Sequence, residues 1–328
     1  MMDRVGFRAC LVARKATEEA IERAFAVTER FESYVQEMRG ISVDQAPTDA
    51  ARAFVSKLIE SGDNTYDNYL SLARFGRFMG NQAVFVAMLE ILDGHEALGN
   101  LHHKVGDELG DAARDRVFSG IEVPPLGVSN LERARLMRQV VERLEAAVGH
   151  ERCARLIGQG LRDLPDEGYA EERRHFEEAG GIDEYLRRKG DRFVAELEGI
   201  RDQGVLYFSQ PITDEVIAYV EAHPEIRQGV RVGNVLYEAK IPYMAREYLE
   251  ETDAQLRATY YCHCPWARES LHQDEAKVSA TFCNCSAAFH KKPYEVIFGR
   301  KLEAEVLETV LAGDPSCRFA IHLPEDVA

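Results

Sequence analysis

Apolar residues recur at helical spacing through roughly the first two hundred positions. Between Ala16 and Met38, the residues Ala20, Ile21, Ala24, Phe25, Val27, Phe31 and Val35 share one face of a 3.6-residue repeat, and Gly40 ends the run. Pro47-Thr48 opens a second helix, with Ala51, Phe54, Val55, Leu58 and Ile59 inward and Gly62 as the stop. Two strongly apolar helical segments follow, at 68–78 and 82–92, punctuated by Gly80 and Gly94. Val123-Pro124-Pro125-Leu126-Gly127 breaks the pattern. Ser129-Asn130-Leu131-Glu132 then matches a capping box, in which the serine oxygen and the glutamate carboxylate satisfy free backbone N–H groups. The helix it opens runs to about Val148, and further helical patterns cover 151–161, 167–178 and 183–198.

After Gly199 the pattern changes. Segments 205–208, 235–241, 256–262, 278–283, 306–311 and 317–323 read as strands. Helices are expected at 214–222, 243–249 and 287–298, and Ala312-Gly313-Asp314-Pro315-Ser316 is a turn. The pattern predicts a mainly α N-terminal region followed by an α+β C-terminal domain with an antiparallel sheet. Three blocks result: a helical domain at 1–124, a helical domain or extension at 125–200, and the α+β domain at 201–328.

Charge narrows the function. The 328 residues carry a formal net charge of -16, which repels phosphate backbones and anionic lipid, so neither nucleic acid nor a membrane is expected as a partner. No apolar run reaches the roughly 18 residues that span a bilayer. The expected location is the cytoplasm, where thiols stay reduced.

That setting gives the seven cysteines their meaning. Cys10 and Cys153 stand alone in helical patterns, whereas the other five fall between Cys262 and Cys317. Cys262-His263-Cys264 and Cys283-Asn284-Cys285 are two C-x-C pairs, each placed by the pattern at a strand end. Residues i and i+2 of a strand face one side, so each pair can aim two sulfurs at one point. Four such thiolates suit tetrahedral Zn²⁺ or, alternatively, an iron–sulfur cluster. His263, His290 and Cys317 are additional candidate ligands. Inert packing and thiol nucleophilicity are the competing readings. Cys285, near a helix N-terminus, and Cys264, with His263 and Arg268 close by, have the surroundings that lower a thiol pKa.

The last 45 residues also carry a resemblance. Cys283-Asn-Cys-Ser-Ala-Ala-Phe289, the apolar helix to Phe298-Gly299, Glu305-Val-Leu-Glu308 and Ala312-Gly-Asp-Pro-Ser-Cys-Arg-Phe319 resemble the end of a V4R (4-vinyl reductase) domain. The tail of the L-2-amino-thiazoline-4-carboxylic acid hydrolase family is similar. The V4R resemblance implies a small-molecule-binding α+β domain. In sensor members zinc is held by a Glu and two Cys, and of those positions only Cys317 matches here. The helical region would then transmit a signal or form a homo-oligomer.

Three functions follow as expectations. One is a small-molecule-binding protein with a cysteine-ligated metal, Tyr261, Trp266 and Arg268 lining its pocket beside Tyr237, Tyr243 and Tyr260, and Lys240 meeting an anionic ligand. The second is a thiol- or metal-dependent hydrolase with Glu269 or Asp274 as base. The third is a structural zinc module for protein contacts.

Overall fold

The computed structural model describes residues 3–273 and 276–326. The chain divides into two compact units. One runs to His95 and includes Val123–Arg133; the other comprises Glu96–Glu122 and everything from Ala134.

The first unit is helical, and its helices start and stop where their end residues dictate. Thr17, Thr65 and Asn81 each accept a backbone N–H from the first turn of the helices Glu18–Arg39, Tyr66–Phe78 and Gln82–Leu92. Gly40 and Gly62 close the helices Glu18–Arg39 and Thr48–Ser61 in the left-handed conformation. The apolar faces read from the sequence are the buried ones: Ile21, Phe25, Phe31, Val35, Phe54 and Leu58 are nearly inaccessible and form one core with Phe7, Tyr69 and Phe75.

Among the described residues, the second unit holds all the strands. Four form an antiparallel sheet in the order Val230–Val232, Val235–Ala239, Arg318–His322, Glu303–Glu308. A small antiparallel pair joins Leu206–Tyr207 to Gln210–Pro211. The expected class, a helical N-terminal region before an α+β part with an antiparallel sheet, is what the chain forms. Along Val235–Ala239, Leu236 and Glu238 point inward, and Lys240 extends that face by one period. The Lys240 N–H donates to the Cys317 carbonyl at 3.2 Å, which continues the ladder. Helix Asn284–Phe298 supplies Tyr294 and Ile297 to a core shared with Leu236, Ile321 and, from helix Ile182–Gln203, Tyr185 and Leu186.

Two expected strands are absent. Residues 254–261 are a helix, capped by the Asp253 carboxylate on the Gln255 and Leu256 N–H groups. Residues 280–283 form a 3-10 turn, started by the Ser279 hydroxyl on the Thr281 N–H. Side-chain caps at both starts overrode the local β pattern. A further helix, Pro265–His272, has its proline at the first position, where the missing N–H costs nothing.

Candidate functional site

The C-x-C pairs are therefore helix boundaries. Cys262 caps the C-terminus of Ala254–Tyr261, and Cys264 is the N-cap of Pro265–His272. Cys283 is the N-cap of Asn284–Phe298, and Cys285 lies in its first turn. Neither N-cap sulfur takes up a helix N–H. The sulfurs turn elsewhere. Cys262 Sγ donates to the Cys264 carbonyl at 3.7 Å, and Cys283 Sγ meets Thr309 Oγ1 at 3.0 Å. Cys317 Sγ lies 4.0 Å from the same hydroxyl.

Cys262, Cys264, Cys283 and Cys317 share one apolar cluster with Tyr248, Tyr261, Val310, Leu311 and Phe319. Burial pushes the Cys262 thiol well up, with the neighbouring Cys264, Cys317 and Cys283 adding to it. Burial and Cys317 push Cys283 up to about 12. Cys285 stands apart from this cluster. Burial and Cys264 raise it to about 11, while Arg162 and the backbone at Leu161 pull it down. It lines a groove of about 330 Å³ together with Arg162, Lys104, Phe289, Lys292 and Lys301.

All seven cysteines are free thiols. Among the described residues, no three His, Cys, Asp or Glu side chains are arranged to hold a metal ion. That arrangement lends the Zn²⁺ and iron–sulfur expectations no support.

The pocket residues are also redistributed. Tyr261 is 1% exposed, and its hydroxyl donates to the Lys240 carbonyl at 2.6 Å. Trp266 is 2% exposed and stacks on Phe282 at 5.9 Å. Both are packed core, with no surface to offer a ligand. Arg268 places its guanidinium 4.2 Å over the Tyr243 ring, and the edge of that ring meets His263 at 5.4 Å. Glu269 is half-buried on helix Pro265–His272, and Asp274 lies outside the described residues.

What the fold does assemble is a polar cluster around Lys240, drawn from the sheet, from helix Asn284–Phe298 and from the segment at His263. The Lys240 ammonium donates to Ser286 Oγ at 3.0 Å and sits 6.0 Å from the Phe319 ring centre. Its charge reaches Cys262, Cys283, Cys285, His263 and His290. Among the described residues, no carboxylate pairs with it. Lys240, His263, Cys283, Cys285, Ser286 and His290 all keep some exposed surface. Yet desolvation is the largest cause of shift for His263, Cys283, Cys285 and His290. The cluster thus lies deep in protein mass while its members still touch solvent. His263 shows the effect: burial and the Lys240 charge lower its pKa to about 3, although its Nε2 is bonded to the Ile241 carbonyl at 2.7 Å.

Comparison with known protein families, with curated proteins and with solved structures finds no match. The site is therefore defined by its geometry alone.

One part of it escaped the sequence reading. Glu238, buried on the strand beside Lys240, is surrounded by donors. Lys189 Nζ and Tyr294 Oη donate to Oε1, both at 2.6 Å, and His290 Nδ1 lies 2.9 Å from Oε2. Lys189 also donates to Tyr294 Oη at 2.9 Å. Burial pushes the Glu238 carboxyl up, but the Lys189 charge and the His290 contact prevail and hold it at about 2. The available signal was a charge at a core-facing position of an alternating strand, Leu236-x-Glu238-x-Lys240.

Proposed function

We propose that the second unit binds a small anionic molecule in a crevice at this cluster, with Lys240 as its counter-charge. The observation that carries this is the Lys240 ammonium itself: a half-buried cation set among buried groups, with one hydroxyl partner and no carboxylate. Two of the three ammonium donors are left for a guest. A cation that no carboxylate answers is open to an entering anion, which provides the partner. Ser286 adds a hydroxyl, and the half-buried thiol of Cys283 adds a soft, uncharged wall. This reading keeps the small-molecule role that the V4R resemblance implies and replaces its metal with a lysine.

The test is titration of inorganic phosphate and oxalate into the full-length protein, followed by calorimetry and by protection against heat. Saturable binding is expected, and Lys240→Met should abolish it while circular dichroism stays unchanged. Binding that survives in Lys240→Met, or no binding of either anion, would overturn the reading.

A further inference from the structure

We propose that His290 is a proton acceptor in this crevice: Glu238 engages its Nδ1–H, and Nε2 presents a lone pair to the molecule that Lys240 holds. The proposal rests on the anion-binding reading above and adds a reaction to it.

The tautomer follows from the bonding. An ionised carboxylate can only accept, so a neutral imidazole 2.9 Å from Glu238 Oε2 must carry its hydrogen on Nδ1. Nε2 is then the bare nitrogen. Among the described residues it makes no hydrogen bond. His263 is the contrast, since its Nε2 is spent on the Ile241 carbonyl. A histidine serving only as a strut has no need to keep one nitrogen unused on a side chain still 15% exposed.

The neutral ring is favoured by what faces it. Lys189, from helix Ile182–Gln203, already neutralises Glu238. Lys240 and His263 face His290 from the strand end and from the segment between two helices, and Tyr294 lies one turn along its own helix. Burial and the two lysines lower its affinity for a second proton, against the pull of Glu238.

Position completes the case. His290 stacks on Phe319 with ring centres 4.5 Å apart, and the Lys240 ammonium is 6.0 Å from that same ring. Ser286, the lysine's partner, is one helical turn before His290 and shares its face. An anion at Lys240 therefore lies beside Nε2. The step is a proton transfer: an acidic X–H bond of the bound anion breaks, the proton goes to Nε2, and the electron pair stays on X. The extra negative charge is stabilised by the Lys240 ammonium, and the new imidazolium by Glu238. The substrate class is a small anion with a removable proton near its charged group. Glu238 acts through His290 and is a positioning residue.

The test uses full-length protein with ¹⁵N-labelled histidine, the His290 signals being assigned by their loss in His290→Asn. At neutral pH the Nε2 of His290 should be unprotonated and Nδ1 protonated. Diethyl pyrocarbonate should acylate His290 in the native protein, and inorganic phosphate should slow that reaction in the wild type but not in Lys240→Met. Glu238→Gln, whose amide can also donate to Nδ1, should reverse or mix the tautomers and slow acylation on the order of tenfold. The tautomer and acylation measurements on the wild type do not depend on Glu238→Gln, so misfolding of that variant does not block the test. A doubly protonated or Nε2–H ring at neutral pH, or a His290 that reacts only after denaturation, would overturn the proposal. The expected tautomer and reactivity without phosphate protection would instead overturn the anion reading and leave the lone pair assigned.

Discussion

Glu238 and Lys240 point the same way from one strand, yet only one of them has its charge answered within the protein. That difference makes Glu238 a stability residue as well as a positioning one. Its folded carboxyl sits at about 2 against an ordinary 4.5. A depressed carboxylate contributes stability above the unfolded pKa and loses it as pH falls through the folded value. The gap corresponds to about 3 kcal/mol. Unfolding free energy measured in urea should thus fall between pH 5 and pH 2 by about this amount beyond the decline in Glu238→Gln. Parallel pH curves for the two proteins would show that Glu238 carries no such linkage. Cys317 contributes by packing instead: it is 8% exposed among Val310, Leu311 and Phe319. Cys317→Ser should cost about 1–3 kcal/mol in a denaturant melt, because a hydroxyl replaces a small apolar group there.

At the scale of elements, the sequence was most legible where one signal acted alone. Phe25, Phe31 and Val35 repeat at helical spacing with Gly40 behind them, and the helix Glu18–Arg39 is as expected. The cysteine segment carried competing signals. Leu256 to Cys262 is short, with a threonine and two tyrosines, which suits a strand; the Asp253 cap decided for helix. That change moved the sulfurs, since i and i+2 share a face only in a strand. The Glu238–His290 contact joins residues 52 positions apart, and no local pattern encodes it. Gly229 is where an element supports the site. Its φ of +90° is left-handed, and an added Cβ would lie 2.8 Å from Leu236 Cδ1 and 3.2 Å from Glu238 Cγ. Gly229→Ala should cost about 2–4 kcal/mol, from backbone strain and overpacking together. It should also weaken phosphate binding by shifting the strand that carries Lys240. Unchanged stability would show that the strand absorbs the methyl group.

The whole molecule sets one more condition on the crevice, because a chain with a net charge of -16 repels any approaching anion. Two forces of different range act on the ligand. The repulsion is summed over the surface, and salt screens it beyond a Debye length of about 10 Å at 0.1 M. The attraction to Lys240 acts at contact within the crevice, where screening is weak. Raising ionic strength should therefore leave phosphate affinity unchanged or increase it. The opposite holds for a patch of exposed cations, whose attraction is the part that salt removes. The groove beside Cys285 is the rival surface, with Lys104 and with Arg162, Lys292 and Lys301, which pair with Glu96, Asp166 and Glu295. Calorimetric titration of phosphate in low and in moderate sodium gluconate separates the two, since gluconate is too bulky to compete within the crevice. Flat or rising affinity places the anion at Lys240. A steep loss would move it to the groove, and Lys240→Met would then leave binding intact.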